Sequence, residues 1–198
     1  MLSLSYYSDV AMPKLGQAEH QRWASEEVSR TMSLSNLEVR KATPADRLPL
    51  FRMLELYQHD LSDLWDQELD AHGEYGYSLD RYWKDQNCFP FVALLNGHYA
   101  GFSLVDGETK VASAGRWMDQ FFVLKKHRRA GIGRAIAFKV FEALPGYWEV
   151  GQMSNNLPAQ SFWRKVIAQH TRSTYTEHTL TSGWWQGVVQ CFDNGTQT

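Results

Sequence analysis

Residues 125–139 carry Lys125, Lys126, Arg128, Arg129, Arg134 and Lys139 and no acid. Within the stretch HRRAGIGRAIAFKVFEALPG (127–146), Gly131 and Gly133 stand one residue apart, and an apolar run at helical spacing follows. Glycine lets a backbone approach a ligand closely, and a helix N-terminus offers unpaired N–H groups and partial positive charge. The pattern therefore reads as an anion site built mainly from main chain. A solvated helix end that happens to be basic is the plainer alternative, but it leaves the two glycines unexplained.

The elements that position this turn follow from periodicity. LEVRKA (37–42) alternates as a strand. Thr43-Pro44 opens a helix, with Thr43 as cap and Pro44 at the first helical position. That helix points Leu48, Phe51, Leu54, Leu56 and Tyr57 toward a core. A second helical stretch is expected after Ser62 and a third through 79–86. FPFVALL (89–95) and HYAGFSLV (98–105) form a hairpin across Asn96-Gly97. RWMDQFFVL (116–124) is a long strand that feeds the glycine turn and a helix ending near Pro145-Gly146. YWEVGQM (147–153) is a strand, PAQSFWRKVIAQ (158–169) a helix, and WWQGVVQCF (184–192) lies in closing strands. Helices follow only some of the strands, so the expected fold is α/β (α+β), a mixed central sheet of about 6–7 strands flanked by helices.

Three known turns compete for Arg128–Arg134. A P-loop requires Gly-Lys-Ser/Thr, which is absent. A dinucleotide fingerprint requires glycine or alanine where Ile136 stands, and the turn follows the fourth strand rather than opening a doubly wound unit. Arg128-x-x-Gly131-x-Gly133 fits the third turn, [Q/R]-x-x-G-x-[G/A], and Val123 stands five residues before Arg128. Farther on, Asn156-x-x-Ala159-x-x-Phe162-Trp163-Arg164-Lys165 matches N-x-x-A-x-x-[FL]-Y-x-K. With both motifs in order, the chain resembles the GNAT N-acetyltransferase superfamily over residues 36–193, most specifically from Phe122 to Ile167.

The resemblance implies the GNAT fold, acetyl-CoA as cosubstrate and transfer of an acetyl group to an amine by direct nucleophilic attack. It places the pyrophosphate on the main chain of Arg129, Ala130, Gly131, Ile132, Gly133 and Arg134, with Arg128 in the same turn. It gives Phe122, Val123 and Leu124 main-chain contacts to the pantetheine arm. Asn156 reads either as a contact to that arm or as a plain helix cap. Trp163 stands where many members have a tyrosine that protonates the leaving thiolate. An indole is donor-only and far too weak an acid for that step, so Trp163 is expected against the cofactor arm or in the core. Ile167-Ala168 replaces the usual Gly-Phe. A non-catalytic acyl-CoA sensor is the alternative that the missing tyrosine favours.

An amine attacks only as the free base, and a lysine-like amine gives up its proton at pH 7 at a cost of about 4.6 kcal/mol. A carboxylate can accept that proton. Asp119, four residues before Val123, and Glu149, on the next strand, are the candidates; each also reads as a salt-bridge partner at a sheet end. For the acceptor, residues 60–85 hold eight acids against Arg81 and Lys84. Asp60, Asp63, Trp65, Tyr77 and Trp83 are the expected substrate wall, acidic and aromatic, suited to a small cationic amine. The expected molecule has a basic end for the cosubstrate and an acidic end for the acceptor. His59 and His72 have no ligand spacing with Asp60 and Asp63, so no metal is expected.

Composition bounds the rest. A net charge of −2 over 198 residues gives no reason to expect nucleic acid or an anionic membrane. Cys88 and Cys191 form no CxxC pair and read as reduced thiols, hence a cytoplasmic protein. No apolar stretch spans a bilayer and no leader pattern is visible. Residues 1–35, rich in Ser, Gln and Glu, read as a poorly ordered extension, with Met32 as an internal start. Trp184 and Trp185 suit an exposed surface for a homodimer.

Overall fold

Asn96 and Gly97 both adopt positive φ, 52° and 76°, as a two-residue hairpin loop requires. They join β2 (Phe89–Leu95) to β3 (His98–Asp106), and β1 (Leu37–Lys41) pairs antiparallel along β2. The strands β4 (Arg116–Val123), β5 (Tyr147–Gln152), β6 (Thr176–Leu180) and β7 (Gly187–Asp193) complete a seven-stranded mixed sheet. Its order is β1-β2-β3-β4-β5-β7-β6, and β4–β5 is its parallel pair. This is a computed structural model, and it describes residue 34, residues 36–183 and residues 185–195. The expected extension before Asn36, apart from residue 34, and the expected start at Met32 lie outside the described residues.

Among the described residues four α-helices flank the sheet: α1 (Arg47–Trp65), α2 (Arg81–Lys84), α3 (Ile132–Ala143) and α4 (Leu157–Thr171). Helix α1 buries Leu50, Met53, Leu54 and Gln58, one stripe at helical spacing. It packs on Val92, Phe102, Leu104 and Phe122. On the next residue of β4, Phe121 meets Trp163 of α4 at 4.8 Å. Neighbouring strand residues point to opposite faces, so α1 and α4 lie on opposite sides of the sheet. Trp163 also meets Phe141 of α3, and Phe141 packs on Trp148 at 4.9 Å, which puts α3 on the α4 side.

The entry to α1 is fixed by one buried carboxylate. Asp46 accepts from Arg40 at 2.6 and 2.9 Å, from the Thr43 N–H and hydroxyl at 2.7 and 2.8 Å, and from the Tyr99 hydroxyl at 2.7 Å. Arg40, outweighing the cost of burial, holds this carboxyl well below the usual range. Two helix expectations change. No separate helix follows Ser62, because α1 runs on to Trp65 and stops where Asp66 turns left-handed at φ 49°. The helix expected over 79–86 is one turn, Arg81–Lys84. Among the described residues no helix is long and apolar enough to cross a membrane.

Candidate active site

Strand β4 pairs with β5 only over residues 116–118 and 148–150, then runs on alone to Val123. Beyond Met118 the two strands part. Leu124 N–H donates to Ala100 O at 2.9 Å, so Phe122 and Leu124 point their main-chain groups at β3. By the same alternation, Phe121 and Val123 turn theirs toward the gap. Of the expected trio, Phe122 and Leu124 therefore spend their main-chain groups on the β3 ladder, while Val123, and with it Phe121, faces the gap. The Val123 carbonyl accepts from Arg128 Nε at 2.7 Å.

The gap leads into the glycine turn. Arg129 sits at φ 65° and Gly131, the N-cap of α3, at φ 81°. A side chain at 131 would be strained in that conformation. Among the described residues no protein acceptor takes the N–H groups of Arg129–Arg134, and those of residues 132–134 open a helix. This row of free donors at a positive helix end fits a pyrophosphate. Gly133 serves packing: a Cβ there would lie 3.2 Å from Phe162 Cζ of α4. Ile132 is buried in the core, so its side chain takes no part. Arg128 does not reach out either; it bonds Val123 and Asp60 and lies 5.3 Å over the Phe122 ring.

The second feature is a carboxylate at a bulge. Leu104 opposes Gln120 while Val105 opposes Met118, so Asp119 is the extra residue. It lies where β4 leaves β5. The Tyr77 and Tyr82 hydroxyls donate to Asp119 Oδ2 at 2.7 and 2.6 Å, and Arg81 Nη2 at 3.2 Å. All three converge on Oδ2, and no donor among the described residues takes Oδ1. Arg81 also bonds Glu108 at 2.8 Å and the buried Asp106. Burial, with the Asp119 charge beside them, pushes both tyrosines well up, so they remain donors. Burial likewise pushes the Asp106 carboxyl up.

The other expected site residues are placed differently. Glu149 is fully buried and accepts the N–H groups of Lys110 at 2.5 Å, Val111 at 3.0 Å and Ala112 at 2.7 Å. Its carboxylate anchors the 107–115 loop. Asn156 Oδ1 caps α4 by accepting Ala159 N–H at 3.1 Å. Trp163 is 5% exposed, among Phe121, Phe141 and Phe162, so it belongs to the core. Asp60 is ion-paired with Lys125 at 3.0 Å and with Arg128, so the acidic and basic regions touch rather than form opposite ends. Asp63 and Trp65 are exposed near the end of α1, and Trp83 packs on the α1 core. Of the expected acceptor wall only Tyr77 meets a candidate catalytic group. His59 Nδ1 lies 3.1 Å from the Tyr75 hydroxyl, with no metal cluster among the described residues. Trp184 lies outside the described residues, and Trp185 packs on Trp117.

A sequence model of the acetyltransferase (GNAT) family matches residues 50–167, more than half of the chain. The chain belongs to the GNAT acetyltransferase family. Its solved structural relatives share the fold at low identity. An acetyltransferase from Thermus thermophilus superposes with a TM-score of 0.59 at 17% identity, covering 82% of this chain and 99% of that one. An aminoglycoside acetyltransferase in complex with coenzyme A gives 0.58 at 16%, covering 79% and 94%. Spermidine N-acetyltransferase from Vibrio cholerae, in complex with CoA and spermine, gives 0.53 at 13%, covering 79% and 94%. No curated protein sequence matches the chain.

In this GNAT acyltransferase the residues that sequence reasoning missed are Phe121, Arg81, Tyr82 and Asp106. Phe121 was legible in principle, since strand alternation decides which main-chain groups face a neighbour. The other three come together only through the 66–80 segment, whose path no local pattern predicts. Burial pushes the Cys88 thiol up to about 11 and raises Cys191. Burial thus disfavours the thiolate form at both cysteines.

Proposed function

We propose that this protein transfers an acetyl group from acetyl-CoA to the primary amine of a small cationic acceptor by direct attack, in a reducing cytoplasm. The observation that carries the reading is Asp119, a carboxylate on the β4 bulge beside the gap, with Oδ2 held by three donors and Oδ1 open. Acetyl-CoA supplies the thioester carbonyl as electrophile; the amine nitrogen forms the amide bond as the C–S bond breaks, and CoA leaves as its thiolate. The turn N–H groups of Arg129–Arg134 bind its pyrophosphate, and the main chain of Phe121 and Val123 orients the arm in the gap. Asp119 Oδ1 accepts the amine's proton, directly or through one water. Tyr77, Tyr82 and Arg81 keep the carboxylate aimed. The aminoglycoside and spermidine named for the two relatives support a polycationic acceptor.

One observation favours a sensor without turnover: Trp163 is buried where a proton-donating tyrosine would stand. Thermal unfolding with acetyl-CoA, free CoA and NAD, then an amine screen with polyamines and aminoglycosides, tests both readings. A ligand at about 100 times its Kd adds about 2.7 kcal/mol. Protection by both CoA species and not by NAD, with thiol release on adding an amine, is the expected result. Protection without thiol release for any amine selects the sensor, and no protection rejects the site.

A further inference from the structure

The sheet face that carries Asp119 also carries a corner of two tryptophans that the proton transfer does not use, Trp117 buried in the core and Trp185 half-buried at its rim. Trp148 packs on α3, so Tyr147, Glu149 and Gly151, which alternate with it along β5, point to the α1 side. Trp117 opposes Glu149 in the parallel pair and clusters with Val189, Cys191, Tyr147 and Trp185. It therefore shares the α1 side with Asp119, two residues farther along β4. Trp185 meets Trp117 edge to face, centroids 5.3 Å apart at 85°. Both rings come down on the bare backbone of Gly151. A Cβ there would collide with Trp117 Cη2 and lie 2.8 Å from Trp185 Cη2. The corner already holds a cation: Lys110 Nζ stands 4.7 Å from the Trp117 ring centroid. Lys110 is delivered by the loop that Glu149 anchors, and its ammonium also bonds the Glu108 carbonyl.

We infer that Trp117, Trp185 and Gly151 form a subsite for a second ammonium of the acceptor, which Lys110 Nζ fills until the acceptor displaces it. This rests on the amine-acetyltransferase reading above and narrows its acceptor to a diamine or polyamine. An ammonium over an indole face is held by the ring quadrupole, and Trp is the strongest such ring. Trp185 is half-buried, so the corner opens at its own edge. Asp119 and Trp117 stand two residues apart on β4, which sets their Cα atoms within about 7 Å of each other, so a chain of four or five methylenes has the reach to serve both. The same geometry explains an internal lysine at that place: it keeps the aromatic faces covered and gives a monoamine nothing to gain.

The test compares 1,5-diaminopentane with pentylamine, which share the nucleophile and differ in the second charge. With CoA present, the full-length protein is titrated with each amine while tryptophan fluorescence is followed. Turnover with acetyl-CoA is measured in parallel as thiol release. The diamine should bind about 3- to 10-fold more tightly than the monoamine. Trp185→Leu should erase that ratio. Lys110→Gln should widen it severalfold, because the internal competitor is gone. A ratio near one in the unmodified protein, or one that neither substitution moves, overturns the subsite even if both amines are acetylated. Failure of CoA to protect the chain would instead reject the acetyltransferase site itself. If Trp185→Leu does not fold, Lys110→Gln alone decides, since it touches only a half-buried side chain.

Discussion

The two halves of the proposed site are made of different material. The cosubstrate half is main chain: N–H groups from Arg129 to Arg134 with no protein acceptor among the described residues, a left-handed Gly131, and the edge of Phe121 and Val123 that faces away from β3. The acceptor half is side chain: Asp119, Tyr77, Tyr82 and Arg81, joined from a strand bulge and a segment some forty residues upstream. Main-chain sites need only the right turn, so a short motif encodes them. Side-chain sites need a tertiary path to converge, and a single substitution removes a whole function.

The substitutions that test this contrast run from large to small. Asp119→Asn keeps the shape and removes the proton acceptor, so kcat/KM should fall about 10²- to 10⁴-fold while acetyl-CoA still protects against unfolding. Activity within a few-fold of the original would shift the base role elsewhere. Glu149→Gln should act on the other ledge of the same sheet without touching proton transfer. The loop 107–115 would lose charge-assisted bonds, lowering stability by about 1–3 kcal/mol, with faster hydrogen exchange at residues 110–112. A loss of kcat equal to that of Asp119→Asn would break the division drawn between the two carboxylates.

On the main-chain side, Gly131→Ala should cost about 1 kcal/mol through its left-handed φ and raise the KM for acetyl-CoA while leaving kcat in place. A drop in kcat at unchanged KM would mean that the turn does more than bind. The smallest effect belongs to Asp60, which ties the halves together. Burial raises its carboxyl but Arg128 and Lys125 outweigh that, and the net shift is downward. A carboxyl lowered on folding stabilises the native state fully above its unfolded pKa near 3.9, and that share is lost as the pH falls below it. Asp60→Asn should therefore cost about 1 kcal/mol at pH 7 and almost nothing near pH 2.5. Denaturant melts at both values would show it, and an equal cost at both would rule out the ion pair as the cause.

Legibility followed the same divide. The hairpin at Asn96-Gly97, the strand at 116–123 and the helix after Gly131 were readable because each rests on local conformation and period. The separate helix after Ser62 was not, because α1 keeps burying its stripe until Asp66 turns left-handed. Glu149 and Asp119 look alike in sequence, each an acid on a central strand. Only the fold sends one beneath a loop and the other to a bulge beside the gap.

By itself, the sequence determined the family, the mixed sheet and the glycine turn that opens α3, since these depend on glycine conformations, helix ends and apolar spacing within a few residues. Tertiary structure alone decided that Arg128 turns inward to Asp60, that Trp163 packs in the core, and that Trp117 and Trp185 close over Gly151. Those outcomes depend on which distant surfaces meet, and the one-residue slip at Asp119 that brings Tyr77, Tyr82 and Arg81 to a single oxygen is visible only once β3 and β4 are paired.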